Sequence, residues 1–273
     1  MRTLLCVSET PHTKEVVAFG QLIISALQSE VVLLTVRPKT EGREVGEALL
    51  SRTSELLSMS PSNLLVRNGL PSKEILAELK TGQYDLVVVG ARDHPPLGVL
   101  LVGSVARQMV EKANTSVLLV RRPKEYVDRV LICTAGYRAS ERTVAVGAKL
   151  AQALQAEVTL LHCSGAAPHM YAGLTQVEET LAEFLQSDTP VARQLKKDAE
   201  TLGSLNVETR LELRHGVIAE EILRANELTD FGLTVIGSPL KRVANRLFLD
   251  EVPAQIVDHM VRPLLIVKGG LDP

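Results

Sequence analysis

The sequence is short of several things at once, and each shortage excludes something. Three cysteines occur in 273 residues (Cys6, Cys133 and Cys163), all in apolar stretches and none in a C-x-x-C pair. That argues against a disulfide framework and fits a reducing compartment, where the three are expected to behave as small buried hydrophobes. No apolar run approaches the ~20 residues of a membrane-crossing helix. Met1 and Arg2 lead straight into "TLLCV" with no leader pattern, so a cytoplasmic protein without a membrane partner is expected. An excess of one charge is missing too. Lys and Arg number 30 against 32 Asp and Glu, with no basic block, which removes the electrostatic footprint of a nucleic-acid binder. Strong catalytic signatures are absent: no G-x-x-x-x-G-K-[ST], no G-x-G-x-x-G after the first apolar run, and no nucleophile elbow. His162, Cys163 and His169 stand close together, but their spacing fits no standard metal site and reads as a strand-end His beside a core Cys.

What is present is a duplication. "TLLCVSE" from Thr3 matches "VLICTAG" from Val130, and "AFGQLIISALQSEVVLLTV" from Ala18 matches "AVGAKLAQALQAEVTLLHC" from Ala145, both at an offset of 127. Further on, "NGLPSKEIL" from Asn68 matches "HGVIAEEIL" from His215, "YDLVVVG" from Tyr84 matches "FGLTVIG" from Phe231, and "VLLVR" from Val117 matches "LLIVK" from Leu264, all at an offset of 147. The second copy therefore carries about twenty additional residues between Cys163 and Asn206, periodic enough for one helix or for two broken at Pro190. Two domains, 1–125 and 126–273, are expected to meet near Pro123 to Asp128.

Within each copy, short Val- and Leu-rich runs such as "EVVLLTV" and "DLVVVG" alternate with amphipathic stretches. Runs apolar on both faces read as central strands of a parallel sheet, so the fold class is α/β, a doubly wound unit occurring twice. Ligands in such sheets sit beyond the carboxyl ends of the strands, which directs attention to the loops after Val7, Val36 and Val89. The last of these reads "GARDHPPLGVLLVGSV" from Gly90. Gly103-Ser104 opens a helix-like pattern, and a helix start with unpaired N–H groups, its dipole and a serine hydroxyl attracts anions.

The duplicated βα pattern and this loop resemble the universal stress protein family, whose nucleotide loop runs Gly, two residues, Gly, nine residues, Gly-Ser/Thr-Val. Gly90, Gly103, Ser104 and Val105 keep that pattern and its spacing. The resemblance implies an adenine nucleotide, ATP or AMP, in the first copy, with Ser8 where the family places an aspartate toward the base and Val36 beside the adenosine. Asp93 stands at the middle glycine position. Two unit charges about 4 Å apart repel by about 4 kcal/mol at an effective dielectric near 20. Arg92 and His94, or a Mg²⁺ ion bridging Asp93 to phosphate, would offset this. In the second copy Asp250 and Glu251 match Gly103 and Ser104, and Ala135 matches Ser8, so that site is expected to be lost to nucleotides. Its loop residues Lys241, Arg242 and Arg246 are expected to pair with those acids or face solvent.

The resemblance also implies that the last strand of each copy, Val117 to Val120 and Leu264 to Val267, mediates pairing, giving an internal pseudo-dimer and potentially a homodimer. Two other functions stay open on these residues: a module acting through protein contacts without nucleotide, and a slow Mg²⁺-dependent ATP hydrolase using Asp93. Catalysis is the less expected of the outcomes.

Overall fold

A computed structural model describes residues 1–91, 103–165, 180–239 and 251–269. The first copy runs β1 (Arg2–Val7), α1 (Thr13–Ala26), β2 (Glu30–Arg37), α2 (Arg43–Leu56), β3 (Asn63–Asn68), α3 (Pro71–Thr81), β4 (Leu86–Gly90), α4 (Ser104–Lys112) and β5 (Ser116–Val120). The second runs β6 (Arg129–Thr134), α5 (Glu141–Leu154), β7 (Glu157–Ser164), α6 (Leu181–Gln186), α7 (Pro190–Ser204), β8 (Thr209–His215), α8 (Ile218–Leu228), β9 (Leu233–Pro239), α9 (Glu251–His259) and β10 (Leu264–Gly269). Between β7 and β8 the described residues form two helices where the first copy has α2. α7 lies at the offset of 147 from α2, so α6 is the addition, with Pro190 at the first turn of α7 and Thr189 capping it by accepting from the Ala192 N–H at 3.2 Å.

The chain forms two compact units, Met1–Tyr126 with Val257–Lys268, and Val127–Ile256 with Gly269–Pro273. In the first, the strand order is β3-β2-β1-β4-β5-β10. The first five strands are parallel, with Leu5 level with Leu33 of β2 and Val88 of β4. β10 joins antiparallel to β5, pairing Leu265 with Leu118, so the last strand of the second copy completes the sheet of the first unit. In the second unit the order is β9-β6-β7-β8, all parallel.

Central strands are buried on both faces: Leu4 and Leu5, Val32 to Leu34, Val87 and Val88, Val117 and Leu118 are inaccessible, as are Val130 to Ile132 in the second unit. This is why these strands read as continuous apolar runs. Helices α1 and α5 approach their sheets through a glycine each. A Cβ on Gly20 would stand 3.2 Å from Leu5 Cδ1, and one on Gly147 would stand 2.6 Å from Ile132 Cδ1. Gly20 and Gly147, like Leu5 and Ile132, are equivalent positions of the duplication, so the same close helix–strand approach is built twice.

Candidate functional site

In the first unit β1 has β2 on one side and β4 on the other, so its connections leave in opposite directions and a crevice opens at the carboxyl ends of β1 and β4. Cys6, Val7 and Ser8 of the β1 end, Thr10 and His12 of the loop into α1, Thr13, Val16 and Val17 of α1, Gly90 at the end of β4 and Ala91 after it line the crevice. The floor is apolar and the rim carries hydroxyls and an imidazole. The loop is fixed locally: Thr13 Oγ1 donates to the Ser8 carbonyl at 2.5 Å, and the Thr10 N–H donates to Thr13 Oγ1 at 3.0 Å. Ser8 itself is exposed. Glu9, next to it, pairs with Arg37 at 3.8 Å and with Arg52 at 3.4 Å, which keeps its carboxylate compensated at the crevice edge. The crevice measures about 40 Å³, well short of the 300–1,000 Å³ of a site closed around an organic ligand. Among the described residues these form one wall of whatever binds here.

Ser8 and Gly90, two of the residues singled out in the sequence, thus share one crevice. Val36 does not line it; it is half-buried on β2, paired in register with Arg67 of β3. Arg92 and Asp93 lie outside the described residues. Gly103 is the N-cap of α4, Ser104 its exposed first residue, and Val105 is half-buried. No side chain caps α4 among the described residues, and its first turn carries no acid. Among the described residues a Cβ built on Gly103 meets nothing within 4 Å. The far end of α4 is anchored. Lys268, buried on β10, donates from Nζ to the Val110 carbonyl at 2.9 Å, and Arg107 meets Asp258 at 3.4 Å. Sequence reasoning missed Thr10, His12, Thr13 and Val16; the signal was the polar run "SETPHT" directly after an apolar strand.

The equivalent end of the second unit is filled. Thr134 and His162, the counterparts of Val7 and Thr35, are buried, and Asp198 of α7 stands against them at 1% exposure. Thr134 Oγ1 lies 2.7 Å from Asp198 Oδ2, and Gln194 Nε2 donates to Asp198 Oδ1 at 2.8 Å. Thr134 Oγ1 also lies 2.9 Å from Ser140 Oγ, which is 2.6 Å from the Tyr137 carbonyl. His162 Nδ1 is 3.0 Å from the Thr134 carbonyl, and its ring stacks on Phe184 of α6 with centroids 5.7 Å apart. Burial lowers the pKa of His162 and raises that of Asp198. Gly136, at φ +70°, leaves the chain room to pass here, since a Cβ would fall 2.3 Å from Val191 Cγ1. Asp250 lies outside the described residues, and Glu251 is the first residue of α9.

The cysteines correct the sequence reading in one respect. Each is partly accessible and not fully buried. Their thiols nonetheless sit in dense surroundings that push the pKa up, to about 12 for Cys163, so none is a ready thiolate. Among the described residues no three His, Cys, Asp or Glu side chains gather as a metal site, and no helix is long and apolar enough to cross a membrane.

A two-copy α/β chain is what comparison with known proteins also returns. The model of the universal stress protein family matches residues 1–121 and again 127–268. The chain belongs to the universal stress protein family. A universal stress protein of Methanocaldococcus jannaschii is 25% identical over 151 residues, covering 55% of this chain and 87% of that protein. Two solved structures share the fold over 98% of this chain. One is a universal stress protein from Archaeoglobus fulgidus DSM 4304, with TM-score 0.71, 15% identity and 98% of its own chain covered. The other is a protein of unknown function from Pseudomonas aeruginosa PAO1, with TM-score 0.71, 16% identity and 92% covered. The universal-stress fold therefore occurs here as a tandem pair.

Proposed function

We propose that this chain is a regulatory member of its family that senses an adenine nucleotide, ATP or AMP, with the first copy alone. The observation that supports this best is the placement of Ser8 and Gly90 in one crevice at the β1/β4 switch point, while the same β4–α4 connection ends in a helix start that no described side chain caps. In this reading the base lies against Val7, Val16 and Val17, with Ser8 as its polar partner. The phosphates meet the amides at Gly103 to Val105, where the partial positive charge of α4 favours them. Arg92 and Asp93 border the phosphates, and Mg²⁺ bridges Asp93 to them when the triphosphate is bound. Regulation then follows from occupancy and not from turnover, and the last strands of the two copies act as the pairing elements of an internal pseudo-dimer.

Gly103→Asp gives a clean test, because among the described residues nothing stands within 4 Å of a Cβ there. Aspartate is also a favourable N-cap, better than glycine by only a few tenths of a kcal/mol. The variant is expected to hold or raise the unfolding midpoint while abolishing calorimetric heats with ATP and AMP. Micromolar binding by the wild type that is lost in Gly103→Asp supports the nucleotide reading. Absence of heat with the wild type moves the function to a module working through protein contacts. Turnover of ATP that vanishes in Asp93→Ala would replace sensing by slow hydrolysis.

A further inference from the structure

The filled strand tips of the second unit hold more polar contacts than they have protons for, if Asp198 is ionised. Three oxygen–oxygen contacts form a chain: Asp198 Oδ2 to Thr134 Oγ1 at 2.7 Å, Thr134 Oγ1 to Ser140 Oγ at 2.9 Å, and Ser140 Oγ to the Tyr137 carbonyl at 2.6 Å. Each needs one proton between its two oxygens. Two hydroxyls supply two. With a carboxylate at one end and a carbonyl at the other, one contact under 3 Å is left as lone pair against lone pair. A carboxylic acid at Asp198 supplies the third proton. It donates to Thr134, Thr134 donates to Ser140, and Ser140 donates to the Tyr137 carbonyl. Thr134 Oγ1 then accepts from Asp198 and from the Gly136 N–H at 3.2 Å, which fills its two acceptor positions. The other carboxyl oxygen accepts from Gln194.

Lys197, the neighbouring residue on α7, favours the charged form of Asp198, and Glu141 opposes it. From β7, His162 faces the group, but its Nδ1 is engaged with the Thr134 carbonyl and burial favours the uncharged ring. His215 of β8, which disfavours a charge on His162, is 2.5 Å from Ser164 Oγ through its Nδ1. From α5, Glu141 is paired with Lys197 of α7 at 2.8 Å, so the two offset each other, and Arg138 before α5 acts on Glu141. On β8, Glu212 and Arg214 pair at 2.6 Å. On α6, Glu183 is bound to its own N-cap Thr180. An unpaired carboxylate at 1% exposure is the costly state, and a hydrogen-bonded neutral acid is the affordable one.

We propose that Asp198 is a proton-binding site, a carboxylic acid kept neutral in the folded protein at neutral pH, whose release of the proton breaks the chain through Thr134 and Ser140 and loosens α7 from the tips of β6 and β7. The ligand is a proton, and the site lies in the copy that the nucleotide reading leaves without a role. An acid bound more tightly by the folded than the unfolded chain contributes stability in full below the ordinary carboxylate range. That contribution is lost as pH rises through the folded-state value.

The test uses the full chain with carboxyl-labelled aspartate, followed by carbon-13 NMR from pH 4 to 9. One aspartate is expected to keep the acid chemical shift at pH 7, after the others have moved to the carboxylate position, and to be missing in Asp198→Asn. The asparagine amide donates to Thr134 as the acid does, so this variant should also flatten the fall of the unfolding midpoint between pH 6 and 9. Finding every aspartate in the carboxylate position at pH 7 overturns the proposal, as does an alkaline decline identical in the wild type and a folded Asp198→Asn. The wild-type titration decides the matter whether or not the variant folds.

Discussion

At the scale of single residues, the first unit contains an alkaline limit of its own. Tyr84 is 7% exposed and donates its hydroxyl to Glu78 Oε1 at 3.0 Å, while Arg67 holds the other carboxylate oxygen at 2.8 Å. Burial first, and then the bond to Glu78, push the Tyr84 hydroxyl from 10.0 up to about 12. The neutral phenol is therefore the form the fold stabilises. Its contribution is complete below about pH 10 and lost as pH rises through about 12. Tyr84→Phe is expected to remove that alkaline limb and to cost about 1 kcal/mol below it, read from urea unfolding at pH 8 and pH 11. The residues of the candidate site were legible to different degrees. Ser8 and Gly90 could be named because each follows directly on an apolar strand. Thr13 could not, because its role is to hold the Ser8 carbonyl, a contact that exists only once the loop has turned. Asp198 left a fainter trace. It interrupts the apolar positions Ala192, Leu195 and Leu202 of α7, all fully buried, so a carboxylate on the buried face of a helix was written in the sequence but its partners were not.

Elements were easier to read than sites, because a period of 3.6 or an apolar run repeats its signal over many residues. Strands β1, β2, β4 and β5 and their counterparts follow the apolar runs, and Pro190 marks the start of α7 as a break would. What holds α4 was not readable. Its last turn is met by Lys268, a residue more than 150 positions later, whose ammonium satisfies the Val110 carbonyl where the helix dipole favours a cation. Arg121, at the equivalent position after β5, donates in the same manner to the Met260 carbonyl beyond α9 at 2.9 Å. Two matched strand ends thus each send a buried cation to the carbonyls at the end of a helix. Lys268→Met keeps the apolar stem but removes the donor. It is expected to destabilise by about 1–3 kcal/mol, measured by chemical denaturation, and Lys268→Arg to recover part of that. If α4 carries the anion site, the same variant should weaken nucleotide binding as well, since the helix start is only as well placed as its anchored end.

Over the whole molecule, the duplication is not a duplication of sites. Among the described residues the first unit has a crevice at its strand tips and a helix start that no side chain caps. The second has Thr134, His162 and Asp198 filling the same place, and acids at the positions of Gly103 and Ser104. Equilibrium dialysis with labelled ATP is accordingly expected to saturate at one nucleotide per chain; a stoichiometry of two would refute the assignment of the second copy. The sequence by itself determined the repeat, the α/β alternation and the family, because apolar periodicity and glycine spacing are local or strictly repeated signals that survive without coordinates. Only the tertiary structure decided which strand completes which sheet, that β10 lies against β5, and that Asp198 sits among hydroxyls and not in solvent. Those outcomes depend on contacts between residues far apart in the chain, and burial, which sets the cost of a charge or an open edge, has no value until those contacts form.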